Sequence, residues 1–277
     1  MKVVLIGADG MLGHALADVF QTEELIALGR EQLDITNEQA VQEKIKALAP
    51  AIIINAAAYT DVDGTEKNRE AAFAVNATGI SNIAKVAKEI GAVVVHYSTD
   101  YIFPGDNPTG YDEQSKQGPA VNVYGESKLA GEVALQNSGA TYYIIRTAWL
   151  YGPYGKNFVD TMRELARTKP ELSVVNDQHG SPTFTYDVAR ATAAIIKKEP
   201  GIYHAVNQGT TTWYDFAREI FAKAGLSIRV KPVTSAQFLR PAKRPQYSML
   251  KNTRGPTLRP WEEALDDYLN NYQSKPS

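Results

Sequence analysis

The stretch KVVLIGADGMLGHALADV, residues 2–19, limits the possible folds more than any other part of the chain. Lys2 to Ile6 is a short, mostly apolar run. Glycines follow at Gly7, Gly10 and Gly13, and Leu12, Leu16 and Val19 then recur at helical steps. A Gly-x-x-Gly-x-x-Gly between strand and helix lets the chain turn tightly, brings backbone amides close to a pyrophosphate and aims a helix N-terminus at its negative charge. The alternative is a turn that merely joins strand to helix; the strand-turn-helix setting favours a dinucleotide site.

The same alternation continues through the first 150 residues. Apolar runs at Val3 to Ile6, Glu24 to Leu28, Ala51 to Ile54, Ala92 to His96 and Tyr142 to Ile145 read as strands buried on both faces. Ile80, Ile83, Ala87 and Ile90 recur on one face of a helix that leads up to Gly91. Strand and helix in repetition predict an α/β fold, a Rossmann-type doubly wound parallel sheet. After about Trp149 the pattern becomes irregular, with a short strand near Tyr203 and helices near Thr212 to Ala224 and Trp261 to Tyr272. We therefore expect a cofactor domain over 1–150, rejoined by about 177–205, and a smaller, discontinuous substrate-binding region over 151–176 and 206–277. A chain of 277 residues with 44% hydrophobic content has core enough for either one large or two modest units. Cysteine is absent, which removes disulfides and Cys-based metal sites or nucleophiles. The net charge of −2 and the lack of a long basic run give no footprint for nucleic acid or an anionic membrane. The apolar run before Gly7 is too short for a signal peptide or a span, so a soluble cytoplasmic protein with small-molecule partners is expected.

Two further features carry chemistry. Ser98, Thr99 and Asp100 follow the strand Ala92 to His96, and ligands in an open parallel sheet bind beyond the carboxyl ends of strands, where a hydroxyl can hold a carbonyl. A Ser/Thr-rich turn capping the next segment is the competing reading. Tyr-x-x-x-Lys occurs twice, at Tyr124/Lys128 and Tyr247/Lys251. The first pair opens a helical stretch through Leu129, Val133 and Leu135, with both side chains on one face. An ammonium beside a phenol favours the phenolate, so Lys128 is expected to lower the pKa of Tyr124. The second pair follows RPAKRP without a parallel-sheet pattern and reads as coincidence.

The glycine triplet, the strand-end hydroxyl and Tyr124/Lys128 occur in an order that resembles the extended short-chain dehydrogenase/reductase superfamily. INAAAYTDVD (54–63), AVVVHYSTDYIFPG (92–105), NVYGESKLAGE (122–132), RTAWLYG (146–152), ELSVVNDQHGSPT (171–183) and GTTTWYDFA (209–217) are similar to the dTDP-4-dehydrorhamnose reductase family. That resemblance implies reduction of the 4-keto group of dTDP-4-dehydro-L-rhamnose by a nicotinamide cofactor, the last step toward dTDP-L-rhamnose for surface polysaccharide. It implies Thr99 as the catalytic hydroxyl, Tyr124 as proton donor, and Lys128 as the group that binds the nicotinamide ribose and tunes the phenol. It also places Gly7, Asp9, Gly10, Met11, Leu12, Gly13, Asp34, Ile35, Asn55, Ala56, Ala57, Ala58 and Tyr59 along the cofactor. Thr99, Asp100, Trp149, Asn157 and Arg244 fall at the dTDP-sugar.

Arg30, just past the second strand, stands where NAD-binding versions carry a carboxylate, and a guanidinium there suits a 2′-phosphate. NADPH is the expected cofactor, with NADH as a second possibility, since Glu31 follows at once and Arg30 could equally solvate a loop. Arg240, Lys243 and Arg244 in RPAKRP read either as a solvated segment or as reaching a diphosphate. His14, His96, His179 and His204 lack ligand spacing and read as structural or exposed, with His179 the one to re-inspect and no metal expected. Two rivals remain open: a reductase of another nucleotide-linked 4-keto sugar, and a cofactor-binding regulatory subunit without turnover. A monomer and a weak homodimer are both compatible with the residues.

Overall fold

The computed structural model describes residues 1–272. Strand β1 (Lys2–Ile6) leads into α1 (Met11–Val19), β2 (Glu24–Leu28), α2 (Glu38–Leu48) and β3 (Ile52–Asn55). Two short helices, α3 (Val62–Thr65) and α4 (Arg69–Phe73), run through a π-helical turn at Ala74–Thr78 into α5 (Gly79–Ile90). Then come β4 (Val93–Thr99), α6 (Val123–Asn137) and β5 (Tyr142–Thr147). The remainder alternates short strands with helices: β6 (Leu150–Tyr151), α7 (Phe158–Thr168), β7 (Glu171–Val175), β8 (His179–Gly180), β9 (Thr183–Phe184), α8 (Thr185–Ile195), β10 (Gly201–His204), β11 (Thr211–Thr212), α9 (Trp213–Lys223), β12 (Arg229–Val233) and α10 (Trp261–Asn271).

Six strands form one sheet in the order β10-β5-β4-β3-β1-β2, every pair parallel. Side chains alternate across it. Val3 and Leu5 of β1, Ile52 and Ile54 of β3, and Tyr143 and Ile145 of β5 enter one core, shared with α1, α8, α9 and α10. Val4 and Ile6, Ile53, and Ile144 enter the other, with α2, α5 and Leu135 of α6. Both faces are apolar, so the strands appear in the sequence as unbroken Val/Ile runs. The chain order reverses between β1 and β3, and the crevice beyond their carboxyl ends is where such a sheet receives ligands. The strand ends extend slightly past the apolar runs: β3 includes Asn55 and β4 reaches Thr99, because the parallel ladder continues there. β7 pairs in parallel with β12, and β8/β11 and β6/β9 form two-residue ladders.

Candidate active site

The glycine turn holds the crevice open. Gly7 has φ +81°, and a Cβ there would lie 2.5 Å from Ala57 N at the end of β3. A Cβ on Gly13 would lie 2.2 Å from the Gly7 carbonyl oxygen, so α1 can sit this close to the turn only without one. The close approach leaves a cavity of about 440 Å³ lined by Gly7, Asp9, Gly10, Arg30, Asp34, Ile35, Ala56, Ala57, Ala58 and Tyr59. A second cavity, about 460 Å³, is lined by Met11, Leu12, Gly13, Thr99, Asp100, Tyr124, Lys128 and Trp149. Gly10, Ala56 and Ala58 border both, which makes one groove running from Arg30 to Tyr124. A nicotinamide dinucleotide fits this cradle, with its pyrophosphate against the turn at the head of α1.

Arg30 is exposed at the groove's far end, and its backbone N–H donates to Asp9 Oδ2 at 3.3 Å. The Asp34 carboxyl is held below its ordinary range chiefly by the Thr36 backbone N–H and hydroxyl, with Arg30 adding a smaller pull. Asp34 is thus a carboxylate that feels the guanidinium, while Asp9 meets the Arg30 backbone.

At the other end, Thr99 closes β4 and Tyr124 opens α6, whose N-cap Asn122 accepts from Gly125 N at 2.8 Å. Thr99 Oγ1 donates to Asp100 Oδ1 at 2.9 Å, so the hydroxyl must turn before it can serve a carbonyl. Burial pushes Asp100 up to about 7 against the pull of the Ser248 and Thr99 hydroxyls. Lys128 is 2% exposed, donates to the Tyr97 carbonyl at 2.6 Å and approaches His96 Nε2 at 3.4 Å. Burial brings its pKa down to about 8, with Glu132 pulling the other way.

The expectation that Lys128 lowers the phenol's pKa is corrected here. Tyr124 is pushed up to about 12 by burial, opposed by the Thr99 hydroxyl and reinforced by the Asp100 charge. The cause is desolvation; the Lys128 side chain, meanwhile, gives its hydrogen bond to the Tyr97 carbonyl. A phenol protonated at neutral pH is nevertheless the form that can give a proton.

Three expected residues lie off the groove. The Asn55 side chain turns to His96 Nδ1 (3.1 Å) and accepts from Ala57 N (3.2 Å). Asn157 caps α7, accepting from Asp160 N at 3.0 Å and donating to the Gly152 carbonyl at 2.9 Å. Arg244 pairs with Asp63 at 2.9 Å beside α3. Tyr247 and Lys251 sit in extended chain, Tyr247 stacked on His179 with ring centroids 5.1 Å apart, so they share no helix face. Trp213, not singled out in the sequence, stacks on Trp149 at 3.5 Å and 8°, and both line the catalytic cavity. Trp149 itself holds a left-handed φ of 46°. Lys156, Thr60 and Val62 also line it. His96 is a histidine of the structural kind, 1% exposed and 3.4 Å from Lys128 Nζ.

The model of the RmlD substrate-binding domain matches residues 1–274. The chain is 41% identical to the dTDP-4-dehydrorhamnose reductase of Escherichia coli (strain K12), over 98% of this chain and 97% of that one. The chain belongs to the RmlD family. It is also 39% identical to the spore coat polysaccharide biosynthesis protein SpsK of Bacillus subtilis, over 99% and 98% of the two chains. A solved dTDP-4-dehydrorhamnose reductase from Bacillus anthracis, in complex with NADP, is 41% identical with a TM-score of 0.93, covering 97% of this chain and 99% of that one. RmlD membership makes this an oxidoreductase-type groove of the short-chain dehydrogenase/reductase kind, suited to NAD(P). Among the described residues no group of three or more His, Asp or Glu stands together to hold a metal, and no helix is long and apolar enough to cross a membrane.

Proposed function

We propose that the chain reduces the 4-keto group of dTDP-4-dehydro-L-rhamnose, with NADPH preferred over NADH. The convergence of Thr99, Tyr124 and Lys128 on one cavity continuous with the glycine cradle carries this reading. Gly7, Gly10, Met11, Leu12 and Gly13 would hold the cofactor's pyrophosphate, and Lys128 would meet its nicotinamide ribose. When bound, the reduced nicotinamide supplies the hydride. Thr99 holds the sugar carbonyl once its hydroxyl leaves Asp100, and Tyr124 gives its phenolic proton to the oxygen on which charge develops. The Trp149–Trp213 stack and Asp100 bound the sugar side, and Asn157 would act there only by fixing α7 beside Lys156. Arg244, tied to Asp63, would reach a diphosphate by exchanging that partner.

Arg30 supports NADPH because a cationic fork at the adenine end suits a 2′-phosphate, a contribution of roughly 1.5 to 3 kcal/mol. Michaelis constants for both cofactors in wild type and Arg30→Ala test it. The NADPH constant should rise at least about tenfold in the variant, and an unaltered constant would refute the assignment. A second reading, reduction of another nucleotide-linked 4-keto sugar, rests on the catalytic trio, which fixes the reaction and not the sugar; SpsK is named for spore coat polysaccharide biosynthesis alone. Product analysis with several such sugars separates the two, the rhamnose precursor being expected to turn over fastest.

A further inference from the structure

The buried floor behind Lys128 has a hydrogen-bond polarity that can be read atom by atom. The Ala57 backbone N–H can only donate, and it meets Asn55 Oδ1 at 3.2 Å. The Asn55 amide is thereby oriented with its NH₂ toward His96 Nδ1, 3.1 Å away. Nδ1 must accept. A neutral imidazole then carries its single proton on Nε2, and Nε2 faces Lys128 Nζ at 3.4 Å. Nζ already donates to the Tyr97 carbonyl at 2.6 Å. An amine can offer its lone pair to the Nε2–H, whereas an ammonium would set a hydrogen against it.

The geometry points to His96 as a positioning residue that, oriented by Asn55, holds Lys128 on the Tyr97 carbonyl and favours its uncharged amine until a ligand in the groove accepts from it. The kinetic part of this inference rests on the reductase reading; the tautomer does not.

The other charged and titratable groups around Lys128 are few. On α6 they are Tyr124 and Glu132, one helical turn to either side; at the end of β4 it is Asp100. From β5, Arg146 takes both Glu132 oxygens, at 2.9 and 2.8 Å, with both side chains fully buried. Glu132 is therefore neutralised by its own partner and offsets the imidazole only in part. Burial and the Lys128 charge hold the His96 ring well below its ordinary pKa, in agreement with a neutral imidazole.

The test begins with ¹⁵N–¹H spectra of the imidazole rings in the cofactor-free chain. The His96 signals are assigned by their loss in His96→Gln or, should that variant not fold, by elimination with the other three histidines substituted. A neutral ring protonated at Nε2 between about pH 6 and 9 is expected, and an Nδ1–H tautomer or an imidazolium would overturn the inference. In the pH dependence of kcat/KM for NADPH, which reports the cofactor-free chain, His96→Gln can turn its amide oxygen to Nζ and should move the basic limb up by about one unit, a tenfold gain in proton affinity. A folded, cofactor-binding His96→Gln whose limb stays in place would also overturn it. If no keto sugar is turned over, the reductase reading fails while the ring spectra still decide the tautomer.

Discussion

At the residue scale, Lys128 shows how burial governs charge. Its pKa falls from 10.5 to about 8, so between those values the unfolded chain binds more protons than the folded one. The sign is that of a depressed base: Lys128 costs stability in full below about pH 8, and the cost fades as pH rises toward 10.5. Lys128→Met should therefore gain stability on wild type by more at about pH 7 than at about pH 10, read from urea unfolding. A difference that does not vary with pH would contradict the assignment. Tyr124 and Lys128 were legible because their spacing and helical setting are local. His96 was not, since its contact to Lys128 spans 32 positions and no local pattern records it. Asn157 poses a different problem: an Asn that caps a helix and an Asn that binds a ligand look alike in a sequence, and the bonds to Asp160 and Gly152 show the capping role.

At the scale of elements, β1, β3, β4 and β5 were readable because each buries both faces and so carries a continuous apolar signature, while β2, at the sheet edge with only Leu28 buried, was readable from its short apolar run alone. The pieces β6, β8, β9 and β11 span two residues each, too few to show any period, and β12 is largely exposed and contains Pro232. Of these, β6 and β11 nonetheless shape the groove beside Tyr124, since β6 follows Trp149 directly and β11 runs into Trp213. The strand-turn-helix unit at the N-terminus is the most constrained. Gly13→Ala would press a methyl carbon into the Gly7 carbonyl and the Ala8 backbone, at 2.2 and 2.8 Å. Neither neighbour is a flexible side-chain end, so α1 must shift. A loss of about 1–3 kcal/mol in urea unfolding and at least about tenfold weaker NADPH binding by titration are expected. Wild-type affinity in this variant would show that the close approach of α1 does not shape the cradle.

At the scale of the whole molecule, the main sheet and the C-terminal helices share one core: Val3, Leu5 and Ile145 belong to the same cluster as Phe216, Ile220, Trp261 and Tyr268. A buried polar tie adds to this, running from Glu132 on α6 through Arg146 on β5 to His204 on β10, where Arg146 Nη1 lies 3.4 Å from His204 Nε2. Arg146→Met leaves the Glu132 carboxylate buried without its partner and should cost about 3–5 kcal/mol in denaturant unfolding, while adding Glu132→Leu should restore much of it. If the double variant were no more stable than the single one, the pair would not be the source of the loss. All of this scaffold serves one groove that holds Thr99, Tyr124 and Lys128 at the end opposite Arg30. The direct measurement is NADPH oxidation on mixing the purified chain with dTDP-4-dehydro-L-rhamnose, product identified, in wild type, Tyr124→Phe and Tyr247→Phe. The account predicts one dTDP-L-rhamnose per NADPH consumed, at least ~10²-fold slower turnover in folded Tyr124→Phe, and nearly unchanged turnover in Tyr247→Phe. No rhamnose product from a folded chain that binds NADPH, or equal losses in the two variants, would contradict it.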